Sequence, residues 1–248
     1  MYGVHDHPEI SASSTLDLDS GFPRFSQESY QLSFLEQDRP LLPGGRLLDF
    51  ACGNGFYLAS ARRLGFEVMG VEYDARLAEA VRQRTGLDVR SHAEFRESYR
   101  GPRFDVVHLG HVLEHVPSPP DLLRELQAHA HARTVFVVDG PLEYNACLSR
   151  WVINLGSRLK AKSHNDQAPQ HLSLTTYSSQ KRFFETRGFK TLRYEAVEQF
   201  WPLPDKPEWR SPSLLARYAL GRVSIALSER VAPLGNLFHY VGTGAGLA

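Results

Sequence analysis

Between residues 46 and 140 the chain alternates two hydrophobic periods. RLLDFA, EVMGVEY, LDVRS, FDVVHLG and TVFVVDG are short apolar or β-branched runs, whereas GFYLASARRLG, ARLAEAVRQRTG and PPDLLRELQAHAHA carry apolar residues at helical spacing. Two of these three helical segments end at Gly, which closes a helix in the left-handed region without steric cost. Strand, helix, strand in repetition places helices over a parallel sheet, because parallel strands need a crossover and a helix supplies it. The pattern predicts an α/β, Rossmann-like fold with helices on both faces.

The flanks read differently. Residues 1–21 are Ser-, Asp- and His-rich without periodicity and suit a flexible tail. Residues 22–44 form a helical arm with Tyr30, Phe34 and Leu35 on one face, ended by Pro40, Pro43 and the Gly44–Gly45 pair. After residue 140 the alternation stops, and residues 141–170 suit an insert or lid above the strand ends. YSSQKRFFETRGFKTLRYEAV then returns to helix, Gly188 and strand, and NLFHYVGTG is a last strand, giving a mostly parallel sheet of seven. The intervening SLLARYALGRVSIALSERV, near 213–231, is a helix that suits either the face of a homodimer or a lid. We read residues 22–248 as a single domain.

Composition narrows the class. The 248 residues are 42% hydrophobic and 23% charged, the balance of a soluble globular protein. Lys+Arg and Asp+Glu are both 28, so net charge alone does not draw the chain to nucleic acid or an anionic membrane. Cys52 and Cys147 stand far apart and outside any CxxC, which argues against a disulfide scaffold or a zinc ribbon. The sequence shows neither a leader pattern nor a long apolar span, so we expect a cytoplasmic protein without membrane insertion.

The chemistry concentrates in LLDFACGNGFYLASARRLGFEVMGVEYD. An apolar strand runs into Gly53-Asn54-Gly55, where the backbone must turn sharply and admit a ligand, and then enters a helix whose first N–H groups are free. Glu72 ends the next apolar run, placed to accept hydrogen bonds from both hydroxyls of a ribose. A glycine turn beside an exposed acid is the bland alternative. In GNGFYL the sixth position is Leu58, where a dinucleotide fingerprint needs Gly, so NAD is disfavoured. Asp49 in the strand end is a poor neighbour for pyrophosphate and a good partner for an ammonium group. Adenosine at one end and a cationic amino acid at the other describe S-adenosylmethionine.

LLDFACGNG resembles the first motif of class I S-adenosylmethionine-dependent methyltransferases, and GVEYD resembles their second-strand motif. FDVVHLGHVLEHVPSPPDLLREL and QHLSLTTYSSQKRFFETRGFKTLRYEAV are similar to later segments of the ubiquinone-biosynthesis O-methyltransferase-like branch, so the likeness covers roughly residues 45–197. The resemblance makes residues 45–140 the cofactor-binding core. It implies that Asp49, Ala51, Gly53 and Gly55 line the methionine end, that Glu72 holds the ribose and Tyr73 one face of the adenine, and that Gly110 and His111 lie near the sulfonium. Tyr30 of the arm and the backbone of Ala93 complete the expected set. The family usually has Gly where Ala51 stands; the turn should survive this smallest replacement. The acid often found beside the adenine amino group aligns with His92, with Glu94 close by.

The resemblance implies methyl transfer to a small-molecule acceptor, with S-adenosylhomocysteine as product. A hydroxyl acceptor needs a base, and His suits neutral pH. His171, matching a His on the family's substrate side, is the leading base, and His111 is next; either could instead fix its loop by hydrogen bonds. His111, Glu114 and His115 spell H-x-x-E-H, which on a helix would gather metal ligands, though EHV before Pro is also ordinary family sequence. His108, inside a strand, reads as a core residue, and His129 and His131 as solvent-facing helix positions. The acceptor pocket is expected from Phe25, Tyr30 and Phe34, from Tyr144, Trp151 and His164, and from Phe200, Trp201 and Trp209. The run Arg158, Lys160, Lys162 suits an acidic substrate group or a solvated face. N- or C-methylation, and a non-catalytic binding module of the same fold, remain alternative readings.

Overall fold

A computed structural model describes residues 34–148, 151, 171–198, 212–228, 230–231 and 233–244. Phe25, Tyr30, Arg158, Lys160, Lys162, His164, Phe200, Trp201 and Trp209, with the expected tail and most of the insert, lie outside those residues.

Seven strands form one sheet: β1 (Arg46–Phe50), β2 (Glu67–Glu72), β3 (Asp88–Ser91), β4 (Phe104–Gly110), β5 (Ala130–Pro141), β6 (Phe189–Val197) and β7 (Leu237–Gly244). Their spatial order is β3-β2-β1-β4-β5-β7-β6. Strands β1 to β5 pair in parallel, and β7 runs antiparallel between β5 and β6. The order reverses between β1 and β4, and ligands of open α/β sheets bind in the crevice at such a switch, outside the carboxyl ends of the strands.

Six helices are described: α1 (Phe56–Arg63), α2 (Ala75–Thr85), α3 (His92–Ser98), α4 (Pro119–Gln127), α5 (Tyr177–Glu185) and α6 (Pro212–Ser228). Alternation along the strands sends Leu48, Phe50, Val107 and Phe136 into one apolar cluster with Phe95, Leu123 and Phe184 of α3, α4 and α5. Leu47, Val106, Val135 and Val241 point the other way, into a cluster with Tyr57 and Ala61 of α1. Asp74 caps α2 by accepting from the Arg76 and Leu77 N–H groups, and Gly86 closes it at φ 66°. These two residues fix where the chain leaves β2 and returns as β3.

The structure departs from the sequence reading in four places. Helix α3 was not anticipated, although Ser91 and Glu94 form the S-x-x-E capping box that starts it. The helix expected over residues 119–132 stops at Gln127, and β5 begins at Ala130, so His131 lies in a strand, with Nε2 3.1 Å from Asp105 Oδ1. His129, also outside a helix, sits against the rings of Phe95 and Tyr99. Phe34, expected in the acceptor pocket, is buried and stacks on His239 of β7 with centroids 3.8 Å apart.

The helical residues 34–38 are pinned to the sheet. Fully buried Asp38 accepts from Arg193 Nη1 and pairs with His239 Nε2, each at 2.7 Å. Across the described residues, no helix is long and apolar enough to cross a membrane.

Candidate functional site

The β1–α1 turn is built by left-handed backbone. Ala51 (φ 60°), Gly53 (φ 51°) and Gly55 (φ 78°) all lie in the region that favours glycine. A Cβ at Gly53 would meet nothing within 4 Å, whereas one at Gly55 would come within 2.9 Å of Val81 Cγ1. Gly53 thus faces open space and Gly55 allows close packing of α2 against the turn. Ala51 keeps the turn at a steric cost, so Ala51→Gly is expected to raise unfolding stability by about 0.5–1 kcal/mol, measurable by urea titration.

Glu72 braces this turn from the next strand. Its Oε2 accepts from the Gly53 N–H at 2.8 Å, and its Oε1 accepts from the N–H of Tyr73 at 2.7 Å and of Asp74 at 3.3 Å. α1 follows Gly55 with no side-chain cap, and its N-terminus points at the turn.

Beside the turn lies a cavity of about 530 Å³ whose wall includes Ala51, Tyr73, His111, Val112, His115 and Glu125. Tyr73 is 46% exposed and packs edge-on against Phe50. Glu94 is used by the capping box, with its carboxyl held below the usual range first by the Ser91 N–H. His92 instead meets Glu125 Oε1 at 2.9 Å, so α4 supplies the acid on this side of the cavity. The sequence reading missed Glu125, because its approach to His92 bridges a separation of 33 positions. Ala93 is exposed in the first turn of α3, and Gly110 ends β4 opposite Asp139.

Beneath the strand ends runs a buried row of ionisable groups. His108 Nδ1 is 2.7 Å from Asp49 Oδ1, and its Nε2 is 3.4 Å from Asp139 Oδ1. Burial opposes the charged imidazole, but the Asp49 charge and hydrogen bonds to Asp139 and Asp49 outweigh it, so the pKa is pushed up to about 9. At Asp139 burial favours the neutral acid, yet His108, backed by His111 and His239, holds the carboxyl below its ordinary value. The stabilisation from His108 is complete below pH 6.5 and is lost as pH rises through about 9, a change of about 3 kcal/mol. Urea midpoints across this range should fall in the wild type and flatten in His108→Asn.

The segment after β4 does not form the helical ligand set that the alternative reading of H-x-x-E-H requires. Residues 111–117 are not helical, and His111 itself has φ 55°, so His111 and His115 do not share a helix face. His111 Nδ1 lies 3.4 Å from Glu114 Oε1, and the His111 backbone N–H donates to the Asp139 carbonyl at 2.9 Å. Among the described residues the donor group that converges is Glu114, His115 and His171, with ligand atoms within 4.8 Å of one another. His171 is half-buried behind His115, their ring centroids 4.9 Å apart, and Nδ1 pairs with Glu143 Oε1. Glu143, just past β5, was not foreseen. Tyr144 and Trp151, the two described residues of the insert's expected aromatic wall, are largely exposed.

A sheet with this strand order and a glycine turn at its switch point define a class I methyltransferase fold. The methyltransferase domain model matches residues 24–194, and the chain belongs to that family. It is 31% identical over 126 residues to the ubiquinone biosynthesis O-methyltransferase of Proteus mirabilis, covering 48% of this chain and 51% of that protein. It is also 31% identical over 150 residues to the ribosomal protein L11 methyltransferase of Cupriavidus taiwanensis, covering 57% and 48%. The chain thus spans about half the length of these curated relatives. The fold is shared with an S-adenosylmethionine-dependent methyltransferase from Archaeoglobus fulgidus (TM-score 0.53, 19% identity, 89% of this chain and 96% of that one). It is shared too with a magnesium protoporphyrin IX methyltransferase from Synechocystis, solved with bound S-adenosylhomocysteine (TM-score 0.52, 12% identity, 88% and 84%).

The residues present suit the family's cofactor. Asp49 is 2% exposed, and its Oδ2 is buried without a hydrogen-bond partner, a position that a ligand ammonium would satisfy.

Proposed function

We propose that this protein transfers the methyl group of S-adenosylmethionine to a hydroxyl oxygen of a small-molecule acceptor, with His171 as general base. The observation that carries the choice of base is the His171–Glu143 pair, with the His171 ring against His115, which lines the cavity. The cofactor supplies an already activated methyl group when bound, so the protein's work is to bind, orient and move one proton. Gly53 and Gly55 let the backbone approach the methionine end, with Ala51 and Gly110 beside it. Asp49 accepts from the ammonium, Glu72 from the ribose hydroxyls, and Tyr73 and Ala93 flank the adenine. Glu143 fixes the proton on Nδ1 of His171, which leaves Nε2 free to take the acceptor's proton. The curated relatives named as ubiquinone O-methyltransferases support oxygen as the accepting atom.

A second reading follows from the convergence of Glu114, His115 and His171. A hard divalent cation held there would orient vicinal oxygens and lower the pKa of a bound hydroxyl. One experiment addresses both readings: a screen of phenols, carboxylates, amines and sugars with methyl-labelled cofactor, run with and without chelator. Labelled ethers formed at full rate under chelation are the expected result. Label confined to amines would overturn oxygen transfer, and loss of turnover restored by a divalent cation would favour the metal reading.

A further inference from the structure

We propose that His108 is a positioning residue for cofactor binding: it holds the Asp49 carboxylate in the one orientation that presents its second oxygen to the cofactor's ammonium group. This rests on the reading of Asp49 given above.

The geometry leaves the carboxylate little freedom. Asp49 and His108 sit opposite each other on paired strands β1 and β4, and both are 2% exposed. The hydrogen bond from Nδ1 occupies Oδ1 alone, at 2.7 Å, while Oδ2 stays buried and unpartnered. A buried carboxylate oxygen without a donor costs free energy, so a cationic donor reaching Oδ2 is favoured.

The imidazole is itself fixed on three sides. Nδ1 meets Asp49, Nε2 faces Asp139 at 3.4 Å, and the Tyr57 ring lies flat over it, with centroids 3.5 Å apart and planes 8° from parallel. A protonated ring between two acids and under an aromatic face is paired by charge and by cation–π contact. Rotation of Asp49 would break the Nδ1 bond and strand His108 beside a single acid.

The test compares two ligands by calorimetry: S-adenosylhomocysteine and its analogue in which the α-ammonium is replaced by hydrogen. His108→Leu is expected to weaken S-adenosylhomocysteine by about tenfold or more and to leave the deaminated analogue within about twofold. His108→Asn, whose amide N–H can take the place of Nδ1, is expected to restore most of the loss. Equal weakening of both ligands in His108→Leu, or of neither, overturns the inference. Asp49→Asn separates the layers of the argument. If it binds both ligands as the wild type does, the assignment of Asp49 fails; if it loses the discrimination while His108→Leu keeps it, only the role of His108 fails. Should His108→Leu not fold, nitrogen-15 NMR of wild-type imidazoles decides the matter. The His108 Nδ1 resonance should move with S-adenosylhomocysteine and stay with the deaminated analogue, and movement with both or with neither is the contrary result.

Discussion

His171→Ala is expected to lower turnover on an oxygen acceptor by roughly 10²–10⁴-fold while leaving cofactor affinity within about twofold. The size follows from removing a positioned base whose second nitrogen is already oriented by Glu143. Glu143→Gln should produce a smaller loss in the same direction, because the amide can present its N–H where the carboxylate accepted one and so favours the wrong tautomer. Rates with labelled cofactor, set beside calorimetry with S-adenosylhomocysteine, check the split. Equal losses in turnover and affinity would reduce His171 to a support for the loop that packs on His115.

Glu72→Ala should weaken S-adenosylhomocysteine by about 1–3 kcal/mol, the scale of hydrogen bonds to a charged group. In this structure the side chain also accepts from three backbone N–H groups, among them that of Gly53. Its removal therefore loosens the turn as well as the ribose contact. Glu72→Gln separates these effects: it keeps the shape and one acceptor, and should retain more stability than affinity. Unchanged binding in Glu72→Ala would remove the residue from the site.

The sheet was legible in the sequence because buried parallel strands must be apolar runs and their crossovers must be amphipathic, and both periods are visible over residues 46–140. The glycine turn and Glu72 were legible for a related reason: they are local, and backbone conformation restricts the residues that can occupy them. Contacts between distant positions were not. His108 reads as a core residue, yet Asp49 lies 59 positions away, and Glu143 is separated from His171 by 28. Helix α3 was missed although its capping box is written in Ser91 and Glu94. The alternative reading of H-x-x-E-H as a helical ligand set presumes right-handed backbone, and His111 adopts φ 55°.

The burial of Asp38 bears on how the molecule is completed. Its partner His239 stands 201 positions later in the chain, on a strand inserted between two others. During synthesis the five parallel strands can assemble while residue 38 still lacks its imidazole. The early segment gains its second partner only when β7 enters the sheet beside β6 and brings His239 to it, so ribosome-bound intermediates halted before residue 237 should leave one carboxylate oxygen without its imidazole and the segment carrying it more open to proteases.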